Sequence, residues 1–210
     1  LGSISTSTVQ ALSTDQVVAL TTYQVSNLAS SSIKALTSAQ VQAIETADIR
    51  VLTTSQLGSL VSSTVSALTT DQVVALQTSQ LNALATSNIQ ALSSDQVVAL
   101  TTDQVVGIST RNIGALTTAN VAVLTSDQIG AVSSANLAAL SSGQVRALST
   151  DNVVALNTYQ VSNLTTGTMA ALSTAQLQAI ETGDIQALTT KQLGSISTST
   201  VQALSTDQVV

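Results

Sequence analysis

Aliphatic and polar positions follow one another along this chain with a period of eight. Counted from Ser13, the octad Ser13-Thr14-Asp15-Gln16-Val17-Val18-Ala19-Leu20 is followed by TTYQVSNL, and later octads read TSAQVQAI, TTSQLGSL and SSDQVVAL. Position five is aliphatic from Val17, Val25 and Ile33 to Val209, and Met169 is the single change in kind. Position eight is always Leu, Ile or Val, from Leu12 to Leu204. Position two is always Ser or Thr, from Thr6 to Thr206. Position four is most often Gln, otherwise Asn, Thr, Ser or Asp, and position seven is mostly Ala. Positions one, three and six vary. The frame has no insertion or deletion, so residues 1–210 are expected to form a single continuous repeat array. Residues 1–18 recur unchanged at 193–210, an offset of 192 residues. The chain therefore reads as a window on a longer repeat. From Thr117 onward the octads without Gln at position four mostly fall on every second octad, which hints at a 16-residue unit.

A continuous helix cannot bury this pattern. At about 100° per residue, eight residues overshoot two turns by about 80°, so the apolar pair would circle the helix within about five octads. A sustained coiled coil needs periods of seven or eleven. A straight strand fails as well, because positions five and eight are an odd number apart and face opposite sides. The chain must bend once per octad, which describes a solenoid.

Three features favour an all-α solenoid of very short capped helices, one per octad. The segment Thr69-Thr70-Asp71-Gln72 spells a capping box, with Leu68 and Val73 at the spacing of a hydrophobic staple. Every acidic residue stands at position one, three or four, in the first turn, and Lys34, Arg50 and Arg146 stand at position six, towards the last. That sorting matches the helix dipole. Ala at position seven and Gln at position four also form helices better than strands. The cap itself has two candidate sites. Position one admits Glu45, Val61, Gln77 and Asn157, whereas position two is the invariant hydroxyl. A β-solenoid with two or three octads per coil stays open, since Val, Ile and Thr favour strands. Against it, the nine glycines occupy positions three, six and seven rather than one fixed corner.

The octad STDQVVAL resembles the opening of a TAL effector repeat, T-P-x-Q-V-V-A-I. The likeness covers eight residues, lacks that family's base-reading loop, and implies a helix rather than DNA binding. The uninterrupted A-L-T-T-x-Q-V tracts resemble low-complexity repeat regions of very large bacterial surface and secreted proteins. That resemblance implies an adhesin, filament or surface layer, often exported by type I secretion. The calcium-binding nonapeptides of such proteins are absent, so no calcium site carries over.

Composition narrows the chemistry. Charged residues make up 8%, and there is no His, Cys, Pro, Trp or Phe. The usual zinc, haem, iron–sulfur and thiol sites are therefore absent, as is any disulfide framework. The net charge is −6, and the five basic residues are dispersed, whereas nucleic-acid binding needs a clustered basic footprint. Serine and threonine hydroxyls are plentiful, but a nucleophile needs a base within reach, and only two lysines are present. The pairs Glu45 with Asp48 and Glu181 with Asp184 are carboxylates that suit a cation, but the dipole explains them equally. Tyr23 and Tyr159 occupy equivalent positions in TTYQVSNL and NTYQVSNL and are expected to be exposed decoration. Met169 replaces a core valine. No residue is assigned to catalysis, to a cofactor or to a metal. No run of 18 apolar residues exists, which excludes a membrane span.

The expected function is a non-enzymatic structural scaffold, part of an extended filament or adhesin stalk at a bacterial surface or outside the cell. A solenoid that recognises a glycan, a peptide or ice is the alternative. Positions five and eight should be the least exposed, three and six the most exposed. Leu1 and Ile4 at one end, and Val209 and Val210 at the other, should be sticky and favour end-to-end self-association.

Overall fold

The computed structural model describes residues 4–209. Among them all regular structure is α-helical, in 26 short helices from α1 (Thr6–Gln10) to α26 (Thr206–Val209), one in each octad. The β-solenoid is set aside.

Each helix starts at position two, so position one is the N-cap and the invariant hydroxyl is the first helical residue. The expectation that allowed a cap at position two is corrected here. Before α9 (Thr70–Ala75), Thr69 holds an extended conformation, φ −72°, ψ 160°. Its Oγ1 accepts from Gln72 N at 3.2 Å, and its own N–H donates to Gln72 Oε1 at 2.9 Å. Where position one is Ala29, Val61 or Glu45, the backbone adopts the same extended cap without a side-chain bond. Tertiary packing, not the cap alone, thus fixes where helices begin.

Each helix ends within two turns. Leu76 N bonds back to Val73 O at 3.2 Å in a tight final turn. Leu76 then runs extended (φ −62°, ψ 137°), as does Gln77 (φ −77°, ψ 154°). Positions eight and one therefore form the corner between helices. No described residue has positive φ, so the corner needs no glycine. This explains why the glycines are scattered over other octad positions.

Two compact units are distinguished, one ending at Ile108 and the other beginning at Ser109. Within the first, α9 packs between α6 (Thr46–Val51) and α12 (Ser94–Ala99). Within the second, α18 (Ser142–Ala147) packs between α15 (Thr118–Ala122) and α21 (Thr166–Ala171). Each helix lies on the helix three octads away, so one coil of either solenoid takes 24 residues. The number of octads per coil was not readable from the period alone. Position-five and position-eight side chains fill the interior, with Val73 0% and Leu76 4% exposed. Position three is exposed in every described octad, and position six is exposed or half-buried. The expectation for positions five and eight omitted a third row. Position four is as deeply buried, with Gln72 and Gln96 at 2%.

Candidate functional site

The buried position-four row is the chemical feature that repeats. A short helix leaves its last carbonyls without intrahelical donors, and at a covered corner water cannot replace them. Gln40 meets this need across coils. Its Nε2 donates to Val9 O at 2.8 Å and to Leu12 O at 2.7 Å, with Gln10 O at 3.3 Å between them. Its Oε1 meanwhile accepts from Thr37 N, its own N-cap, at 2.9 Å. One carboxamide thus closes the start of its own helix and the end of a helix in the coil before. Gln72, Gln80 and Gln104 repeat this in the first unit, and Gln160 and Gln192 in the second. A side chain with two amide hydrogens and one acceptor is what the corner requires.

Shorter residues do part of this. Asn88 Nδ2 reaches Leu60 O at 2.8 Å, and Asn152 Nδ2 reaches Leu124 O at 2.9 Å. Ser32 Oγ donates to Ile4 O at 3.1 Å. Thr64 turns back and donates to Val61 O at its own cap. Position six adds bonds in the opposite direction: Asn82 Nδ2 donates to Gly107 O at 3.0 Å and Arg146 Nε to Ala171 O at 3.2 Å.

The family profile of the ALTTAQ repeat matches residues 1–30, 41–78, 73–110, 105–134, 132–166 and 177–210. The chain belongs to the ALTTAQ repeat family. Written in that phase, as in Ala35-Leu36-Thr37-Ser38-Ala39-Gln40, the ALTTAQ motif straddles a corner. Its first two residues end one helix, its third caps the next, and its last is the bridging glutamine. The family name therefore spells the element that joins successive coils. No curated protein matches this ALTTAQ chain.

The other candidate residues of the ALTTAQ array are dispersed. Met169 is 1% exposed within the core row. Tyr23 and Tyr159 are 78% and 72% exposed. Among the described residues no group of three or more acidic side chains is placed to hold a metal ion, and no helix is long and apolar enough to cross a membrane. Asp48 and Asp184 each follow a glutamate by three residues, Glu45 and Glu181. The structure puts both aspartates in the buried bridging row, at 3% and 6% exposure, and leaves both glutamates exposed.

Asp48 is a carboxylate where its neighbours carry an amide donor. Burial raises its carboxyl above the ordinary range, the nearby Glu45 adds in the same direction, and a hydrogen bond from the Thr22 hydroxyl opposes both. The folded state therefore holds the proton more tightly than the unfolded chain, whose Asp titrates near about 3.9. Its contribution to stability is fully present below that value and is lost as pH rises through the folded value. Asp48→Gln is expected to raise the melting temperature at pH 7, by about 1–2 kcal/mol of added hydrogen bonding. The gain should shrink towards pH 3. Melts of both chains across that range check it, and an equal gain at both ends would contradict the assignment.

Proposed function

We propose that this ALTTAQ array is a structural scaffold without catalytic activity, a stretch of an extracellular filament or adhesin stalk. The observation that carries the proposal is the bridging row. Each coil is completed by amides from the coil after it, so the same unit is added again and again, and stability accumulates through neighbouring interfaces. A single octad is far too short to hold a helix alone. The absence of cysteine and the low charge are compatible with export. Immunogold labelling of intact cells with an antibody to the octads should decorate material outside the envelope. Label that appears only after permeabilisation would overturn the extracellular assignment.

End-to-end self-association is part of this proposal. In the last coil of the second unit, Leu193 and Val201 are 38% and 39% exposed, although other residues at their octad position are buried. Ile185, Leu188, Leu193, Val201 and Leu204 line an open apolar cavity of about 410 Å³ there. A coil of a second array fits it, because every coil presents the same rows. Of the four terminal residues expected to be sticky, Leu1 and Val210 lie outside the described residues, and the Val209 side chain is likewise not described. Ile4 is half-buried. Sedimentation should show concentration-dependent growth of the chain that Leu193→Asp with Val201→Asp suppresses. Growth unaffected by the pair would remove this surface from the assembly.

A further inference from the structure

Tyr23 and Tyr159 are the only aromatic side chains in the sequence. Both occupy position three of the same module, T-Y-Q-V-S-N-L, and the backbone under each is held identically. Asn27 Nδ2 and Ser26 Oγ donate to Tyr23 O at 2.8 and 3.1 Å, and Asn163 Nδ2 and Ser162 Oγ donate to Tyr159 O at 2.8 and 3.1 Å. Each ring is thus anchored at its base and left bare. It adds nothing to the core, and octads with Ser, Asp, Ala or Gly at this position fold the same way.

The surroundings of Tyr159 are cleared for a ligand. Position three is Ala135 one coil earlier and Gly183 one coil later, and a Cβ at Gly183 would meet nothing within 4 Å. On the Ala135 side a groove of about 410 Å³ opens, walled by Gly130, Ser133, Ser134, Ala135, Asn157 and Tyr159. That volume lies in the range of small-molecule sites, roughly 300–1,000 Å³. The Ser134 hydroxyl in this wall is buried and has no hydrogen-bond partner. The tyrosine module is the reason. Ser38 and Ser62, at the same octad position, donate to the carbonyl 25 residues on. For Ser134 that carbonyl is Tyr159 O, which already accepts from Ser162 Oγ, Asn163 Nδ2 and the Asn163 N–H. Asn157 Oδ1 accepts from Gln160 N at 2.9 Å, which leaves its Nδ2 as a donor.

We propose that this groove binds a neutral carbohydrate, one pyranose ring stacked on Tyr159 with its hydroxyls hydrogen-bonded to Ser134 and Asn157. A pyranose presents an apolar C–H face to an aromatic ring and polar groups around its edge, which matches one ring beside hydroxyls and an amide. The wall carries no charged side chain, so an ionic ligand finds no counter-charge. The corresponding groove 48 residues on, of about 380 Å³, has Asp207 where the ring stands and Glu181 in place of Ser133. The groove is therefore a general feature of the corner, and the tyrosine module is what makes this copy a platform. The scaffold proposal stands whether or not this site exists.

The test is saturation-transfer NMR on the whole chain with cellohexaose, maltohexaose and chitohexaose as probes. At least one probe should bind saturably, with transfer concentrated on its axial C–H protons. Tyr159→Ala should weaken binding by at least about tenfold without lowering the melting temperature, because the ring is exposed. Tyr159→Phe and Tyr23→Ala should retain it, and Ser134→Ala should weaken it about threefold. No binding of any of the three probes at millimolar concentration, or binding undiminished in Tyr159→Ala, would overturn the proposal.

Discussion

Gln72→Leu is expected to destabilise the centre of the first unit by about 1–3 kcal/mol, the cost of leaving the buried Ile44 carbonyl without a donor and the Val41 carbonyl with only the Ile44 N–H. Leucine has a similar volume and is apolar, so by burial alone the change should help. The structure says that polar satisfaction outweighs it. Gln72 Nε2 donates to Val41 O at 2.8 Å and Ile44 O at 2.7 Å, and its Oε1 takes the Thr69 N–H. No water reaches these carbonyls, because Gln72 itself is 2% exposed. Gln72→Glu sharpens the test. An ionised carboxylate cannot donate and would face two carbonyl oxygens, so the variant should be as damaging as leucine at pH 7. Its protonated form regains one donor, and part of the stability should return near pH 4. Amide exchange around Val41 to Ile44 reads the effect locally, which matters because long repeat arrays need not unfold in two states. Protection unchanged at Ile44 in both variants would mean that the bridge is incidental.

The same residue shows how far the octad could be read in advance. The period, the two apolar rows and the capping box were all visible, since each depends on residues within eight of one another. Thr69 and Gln72 are three apart, and their reciprocal bonds are local chemistry. What stayed hidden depends on residues 28 to 31 apart. Position four looked like a cap partner, so its amide hydrogens had no assigned acceptor. The carbonyls it serves belong to another coil, and nothing in the period says whether a coil takes two octads or three. One signal was available. Position four never carries Lys, Arg or a large apolar side chain, which is more restriction than a cap partner on the surface requires. The cap shows the same limit: position two carries the invariant hydroxyl, whereas the residue that performs the capping, at position one, varies. Ser38 and Ser62 show one use of the invariant hydroxyl, a bond to the next coil at 3.4 and 3.2 Å. The groove at Tyr159 was equally illegible, because Ala135 and Gly183 become its neighbours only through the 24-residue coil.

Adjacent residues provide the most demanding check of the core. Val73→Asp should disrupt the coils around α9, while Val74→Asp should be tolerated. Val73 is 0% exposed and Val74 is 43% exposed, although both are valines in one octad of DQVVAL. A carboxylate at residue 73 would enter an interior dominated by Leu, Ile and Val side chains, next to a position-four row of amides, hydroxyls and the Asp48 carboxyl that offers no positive charge. Its burial without a counter-charge has one of the largest penalties available to a point substitution, about 4 kcal/mol or more. Protonation would relieve part of this, so the damage should be smaller near pH 4 than at pH 7. At residue 74 the carboxylate stays in water. It meets only the unfavourable end of a short helix dipole, a few tenths of a kcal/mol at most. Because coils support each other only through neighbours, the Val73→Asp lesion should be local. Amide protection should collapse in the octads of α6, α9 and α12 and survive in the second unit. Comparable loss in the two variants would refute the buried position-five row. Loss spread evenly over the whole chain would instead show that the array does not fold through nearest-neighbour coils.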